Sequence, residues 1–165
     1  MREKKIEINY RAVKENELSD TDRRLVEKAK EMTFTSYTPY SRFNVGAAIL
    51  MDNGDIASGS NQENAAYPSG LCAERTACFH ASAVYPGVPM RKIAIAARNL
   101  AGYSDADRDK APFQAQPISP CGACRQALLE YEHLYGDMEV ILYGADDIYI
   151  FPSVKSLLPF CFTEF

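Results

Sequence analysis

Two cysteine segments restrict the fold of this chain more than any other feature. Cys72 opens "CAERTACFHASAVYP", a run of helix formers that ends near Pro86 and Gly87. Cys121, preceded by Pro120, opens a second such run, "CGACRQALLEYEHL". Within "CGAC" the thiols at 121 and 124 share one helical face, with β-carbons about 5–6 Å apart. A helix N-terminus favours thiolate through its unpaired amides and dipole, and thiolate is the form that binds zinc. Cys72 offers a third thiolate by the same logic, provided the fold brings the two helix starts together. Three protein ligands leave the fourth zinc position open to water, as in a catalytic site, whereas a fourth ligand closes it and makes it structural.

The other donors are poorly placed. Cys78 lies roughly 9 Å along the helix from Cys72 and reads as a small core residue. His80 is farther along, and Cys161 and His133 have no metal-type spacing. Buried, inert thiols remain the alternative reading of Cys72, Cys121 and Cys124. Glu74 stands in the same first turn as Cys72. Taken alone it would merely complement the helix dipole; beside an open zinc it can act as general acid and base. Three thiolates on a divalent cation leave the site net negative, which blunts the metal as a Lewis acid. A guanidinium on the sulfurs withdraws charge, a role open to Arg75 and Arg125, each of which could instead be an ordinary surface cation.

At 165 residues the chain is long enough for one compact domain, and 47% hydrophobic with 24% charged residues is an ordinary globular balance. Residues 1–18 alternate charge with isolated apolar positions and read as an extra arm or edge strand on a single domain spanning 19–165. Ser19 and Asp22 fit a helix start, and the helix that follows is expected to stop before Pro39. Residues 42–51 and 56–61 read as a hairpin around Asn53-Gly54. A buried strand is expected at 91–98, then a polar loop over 99–119, a length that in compact domains is usually functional or mobile. Past the second cysteine helix come strands in "MEVILYG" and "IYIFPSV", and a short helix in "VKSLLPFCF". Strands separated by helices, with the first two strands in a hairpin, predict a three-layer α/β/α sandwich with a mixed central sheet.

The net charge of −4 provides no basic footprint for nucleic acid. The longest apolar runs, such as "VGAAILM", are strand-sized and fall short of the roughly 20 residues a spanning helix needs. The charged N-terminus lacks the apolar core of a secretory signal. Five cysteines is an odd number that suits a reducing compartment, so the expectation is a cytoplasmic protein with no membrane partner.

"CAERTA" followed by "PCGACRQ" resembles the three-cysteine zinc cytidine deaminases of the free-nucleoside type. The likeness extends to "YSRFNVGAA" (Tyr40–Ala48), "GSNQENAAY" (Gly59–Tyr67) and "LLPFCF", and covers about residues 30 to 162. It implies the cytidine deaminase-like fold, one zinc per subunit on Cys72, Cys121 and Cys124, and Glu74 as the proton shuttle. It also implies that Asn61 and Glu63 hold the ribose hydroxyls, that Phe43 packs on the pyrimidine and that backbone at Ala73 contacts the base. Without the resemblance these read as a turn residue, a solvated acid and a core aromatic. Members of this size are commonly homotetramers that share sites between subunits, which marks Tyr67 and Phe162 as inter-subunit contacts. The 99–119 segment is longer than in compact members, and the N-terminal arm is extra.

The implied reaction is hydrolytic deamination of cytidine and deoxycytidine to uridine and deoxyuridine with release of ammonia, a step of pyrimidine salvage. Two rivals stay open. One is deamination of another aminopyrimidine nucleoside, such as a blasticidin-type antibiotic; the other is a structural zinc-binding module, which would need a fourth protein ligand.

Overall fold

A computed structural model describes residues 1–163. In chain order its main elements are β1 (Arg11–Val13), α1 (Asp20–Met32), β2 (Phe43–Met51), β3 (Ile56–Ser60), α2 (Ala73–Val84), β4 (Met90–Asn99), α3 (Gly122–Tyr135), β5 (Glu139–Tyr143) and β6 (Ile148–Phe151). The strands form one sheet in the order β1-β6-β5-β4-β2-β3. Among the described strands of this sheet only β4 and β5 pair in parallel, and α3 lies on the crossover between them, as a parallel pair requires. The sheet is therefore mixed.

Alternation along the central strands sorts the core into two sides. Ala47, Ile49, Ile93, Ile95, Val140 and Leu142 pack against α2 and α3. Ala48, Ala94, Ala96 and Ile141 pack against Leu25, Val26 and Ala29 of α1. Strands covered on both faces must be apolar on both, which is why "VGAAILM" and "IAIAA" are continuous hydrophobic runs. Three layers result, as the sequence predicts.

Ser19 caps α1, its Oγ accepting from the Asp22 amide at 3.1 Å. The helix ends at Met32 and tightens into a 3-10 turn at Thr33–Thr35, well short of Pro39. The cause is local competition. Thr33 Oγ1 donates to the Lys30 carbonyl at 2.7 Å, while Asn44 Nδ2 donates to the Thr33 carbonyl at 2.7 Å, so that carbonyl is held by β2. The hairpin turns through Gly54, whose φ of +88° suits glycine. The expected C-terminal helix is a single 3-10 turn, Lys155–Leu157.

Residues 11–13 form an edge strand on β6, with Tyr10 ring-stacked on Phe151 at 5.1 Å. The buried Glu132 of α3 accepts from the amides of Met138, Val154 and Lys155, which ties α3 to the start of β5 and to the chain beyond β6. The 99–119 loop is ordered by the fully buried Arg98. Its guanidinium stacks 3.7 Å from the Phe34 ring centroid and donates to the carbonyls of Arg108, Asp109 and Ala111.

Candidate metal centre and active site

The N-termini of α2 and α3 meet on one side of the sheet. Cys72 and Cys121 are their N-cap residues, both extended, and neither sulfur caps its own helix. Cys124 follows in the first turn of α3. The three Sγ atoms lie within 4.8 Å of one another. Cys72 to Cys121 is 3.9 Å, and Cys121 to Cys124 is 3.4 Å. Sulfurs placed 2.3 Å from a tetrahedral zinc stand about 3.8 Å apart, so the cluster has the right size for that ion. Gly59 lets this happen: a Cβ there would lie 2.5 Å from the Ala77 amide, so β3 can approach α2 only without a side chain.

Electrostatics at the cluster favour one sulfur as thiolate. Cys72 is pulled down to about 5 by a hydrogen bond from Cys124, against the effect of burial and with help from Arg75. Cys124, the donor to that thiolate, is pushed up correspondingly. Arg75 places Nη2 4.0 Å from the Cys72 sulfur. Its buried Nε has no hydrogen-bond partner among the described residues. Glu74 is buried, and desolvation drives its carboxyl up to about 7; its own backbone amide opposes this and the Cys72 charge adds to it. A thiol-rich donor set, a buried acid and an adjacent guanidinium fit a zinc ion.

The two arginines differ in placement. Arg125 donates to the carbonyls of Pro120 at 2.8 Å and Leu157 at 2.6 Å, and to Ser119 Oγ at 2.9 Å. It braces the loop before Cys121 rather than a sulfur. Cys78 is a core thiol raised to about 12 by burial, and His80 Nδ1 lies 3.0 Å from the Ser58 carbonyl. Among the described residues no fourth cysteine, histidine or carboxylate joins the sulfur cluster.

Beside Cys72 opens a cleft of about 290 Å³, bordered by Tyr40, Asn61, Glu63, Tyr67, Leu71 and Arg75. Glu63 accepts from the Tyr40 amide at 2.9 Å and the Ser41 amide at 3.2 Å. Burial pulls its carboxyl upward, but the hydrogen bonds from Ser41 and Tyr40 outweigh that and leave it below its ordinary value. Asn61 spans the β2 backbone, accepting from the Val45 amide at 2.8 Å and donating to the Phe43 carbonyl at 2.9 Å. One lone pair and one N–H of its amide are left over. Phe43 is half-buried at the start of β2, on the α2 and α3 side of the sheet, and Ala73 is fully buried. Tyr67 stands on the rim, 91% exposed. Phe162, 63% exposed, does not border the cleft; its carbonyl accepts from Gln126 Nε2.

Sequence reasoning missed the paired amides of Tyr40 and Ser41 that hold Glu63. A turn at Pro39 was the available signal, but nothing local reveals that its amides converge on Glu63.

Residues 19–136 match the family described as the cytidine and deoxycytidylate deaminase zinc-binding region. Among curated proteins, a cytidine deaminase of Sporosarcina psychrophila is 38% identical over 141 residues, covering 86% of this chain and 90% of that protein. One from Halalkalibacterium halodurans is 35% identical, covering 84% and 92%. Of solved structures, the cytidine deaminase of Burkholderia pseudomallei superposes with a TM-score of 0.67 at 36% identity, over 84% of this chain and 97% of that one. A family match that runs through both cysteine segments, together with relatives aligned over nearly their whole length, makes this chain a member of the zinc-binding cytidine and deoxycytidylate deaminase family.

Proposed function

We propose that the protein catalyses hydrolytic deamination of cytidine and deoxycytidine to uridine and deoxyuridine, releasing ammonia. The observation that carries this reading is the cluster of three thiols with the buried acid Glu74 in the first turn of α2 beside it, at a point where a cleft of about 290 Å³ opens next to Cys72. Cys72, Cys121 and Cys124 would hold a zinc ion, which would supply the Lewis acidity that lets water act as a nucleophile at neutral pH.

The remaining work falls to side chains. Glu74 has a pKa suited to both accepting and returning protons near neutrality. It takes a proton from the attacking water and delivers it to ring N3. A second proton, from the hydroxyl added at C4, passes through Glu74 to the departing amino group. The C4–N bond breaks and ammonia leaves, with every proton accounted for. Arg75 offsets the charge of the Cys72 thiolate. Asn61 and Glu63 grip the ribose hydroxyls through the lone pairs and the N–H that their backbone contacts leave over. Phe43 packs on the pyrimidine, and the backbone at Ala73 meets its edge. We assign no metal role to Arg125.

The catalytic unit is assigned to residues 19–165, with 1–18 as an added edge arm; the family match beginning at residue 19 supports this division. The protein is read as a homotetramer in which Tyr67 and Phe162 complete neighbouring sites, and their exposure supports that assignment. A cytoplasmic setting suits a site built on free thiolates.

The deciding experiment is Glu74→Gln in zinc-loaded protein. Cytidine turnover, followed by ultraviolet absorbance, should fall by at least about a thousandfold while zinc content per subunit stays unchanged. Undiminished turnover overturns the assignment.

A further inference from the structure

Arg42 is held at φ +54°, a left-handed conformation that a non-glycine residue keeps only when its surroundings impose it. Those surroundings are the segment after β4. The Arg42 carbonyl accepts from the Leu100 amide at 2.8 Å. Its Nη2 donates to the Tyr103 carbonyl at 2.6 Å, and Nη1 pairs with Asp105 at 3.1 Å. Asp105 is largely exposed, so the ion pair alone contributes little. The two bonds to backbone groups of residues 100 and 103 carry the link.

On its other side Arg42 closes the turn that begins at Thr38, whose carbonyl accepts from the Arg42 amide at 3.1 Å. Within that turn the successive amides of Tyr40 and Ser41 point at one carboxylate, Glu63. Adjacent N–H groups converging on an anion form a nest, and the nest fixes which lone pairs remain for a ligand. Arg42 thus stands between the 100–105 segment and the groups that aim Glu63.

We propose that Arg42 is a positioning residue for ribose recognition: by clasping residues 100–105 against the 38–42 turn, it sets the amides that orient Glu63. The inference rests on Glu63 binding the ribose hydroxyls. It gives the long segment after β4 a task, namely to tune sugar recognition without touching the sugar. A nucleoside bearing both hydroxyls feels the change, and one lacking them does not.

The test is steady-state kinetics of the full-length, zinc-loaded enzyme on cytidine and on 2′,3′-dideoxycytidine. Arg42→Gly keeps φ +54° freely accessible and retains the main-chain bond from the Leu100 amide, while it removes the side-chain bonds to Tyr103 and Asp105. It should raise KM for cytidine on the order of fivefold, the effect of weakening one charged hydrogen bond. Both kcat and the KM for the dideoxy substrate should stay within about twofold. Asp105→Ala should act in the same direction by less. Equal losses on both substrates, or none on either, overturn the proposal. Should Arg42→Gly fail to fold, Arg42→Lys, which keeps the charge and loses the two-pronged grip, carries the same expectation. Glu63→Gln separates the two levels of inference. If it leaves discrimination between the substrates intact, the ribose assignment falls and takes this proposal with it; if it abolishes discrimination while the Arg42 variants do not, Arg42 alone is wrongly assigned.

Discussion

The sulfurs of Cys72 and Cys121 stand 3.9 Å apart although 49 positions separate them in sequence. Neither sulfur caps its helix, so both are free to turn towards the gap between α2 and α3. Cys124 completes the group from one turn farther along α3. The site is thus a property of how two helices dock on one sheet, and each helix supplies an incomplete part.

Stripping the metal should reveal that arrangement chemically. In metal-free protein, hydrogen bonds from Cys124 and Arg75 hold the Cys72 thiol well below its ordinary value, against the effect of burial, and Cys121 is exposed. Iodoacetamide should label both rapidly. Cys78, buried and raised to about 12, should resist until the protein unfolds, and Cys161 should label at the same rate with or without metal. Zinc should protect Cys72 and Cys121, since a coordinated thiolate is a poor nucleophile. Mass spectrometry of the labelled peptides reads the result. Equal labelling of Cys72 with and without zinc would remove it from the ligand set.

Glu63 predicts an acid limb in stability. Its carboxyl lies below the ordinary value of 4.5 because Ser41 and Tyr40 donate to the ionised form. A depressed folded value means the unfolded chain takes up the proton first. The stabilisation is therefore present above pH 4.5 and is lost as pH falls through the lower folded value. Amide resonances of Tyr40 and Ser41 should move with a midpoint under 4.5, and Glu63→Gln should flatten them. A midpoint above 4.5 contradicts the hydrogen bonds that set Glu63.

The contrast between these residues explains what a sequence reader can and cannot see. Cysteines at helix starts carry their meaning in residue type and spacing, so the three thiols that the fold brings together were legible in the sequence. Continuous apolar strands between helices pointed to a covered sheet for the same reason. Arg125 was not legible. Adjacency to Cys124 suggested a partner on the sulfurs, yet a long flexible side chain can reach many acceptors, and here it reaches Pro120 and Leu157. The loop after β4 was opaque because its order comes from Arg98 and Arg42 binding carbonyls, which every residue has. The early end of α1 likewise depends on Asn44, a residue of another strand.

At Gly59 the site needs an absence of side chain as much as it needs thiols. An alanine Cβ there would lie 2.5 Å from the Ala77 amide and 2.9 Å from Thr76, both in the first turns of α2. Backbone cannot yield as a side-chain tip can, so α2 must shift away from β3. Gly59→Ala should cost about 1–3 kcal/mol in urea unfolding. The shift would carry Cys72 and Glu74 with it, so zinc retention under chelator challenge should fall together with stability. Gly122→Ala is the matched control, since a Cβ there meets nothing within 4 Å. It should leave the unfolding midpoint unchanged or slightly raised, alanine being the better helix former. If Gly59→Ala retains zinc as firmly as the Gly122 variant does, the close approach of β3 to α2 does not govern the metal site.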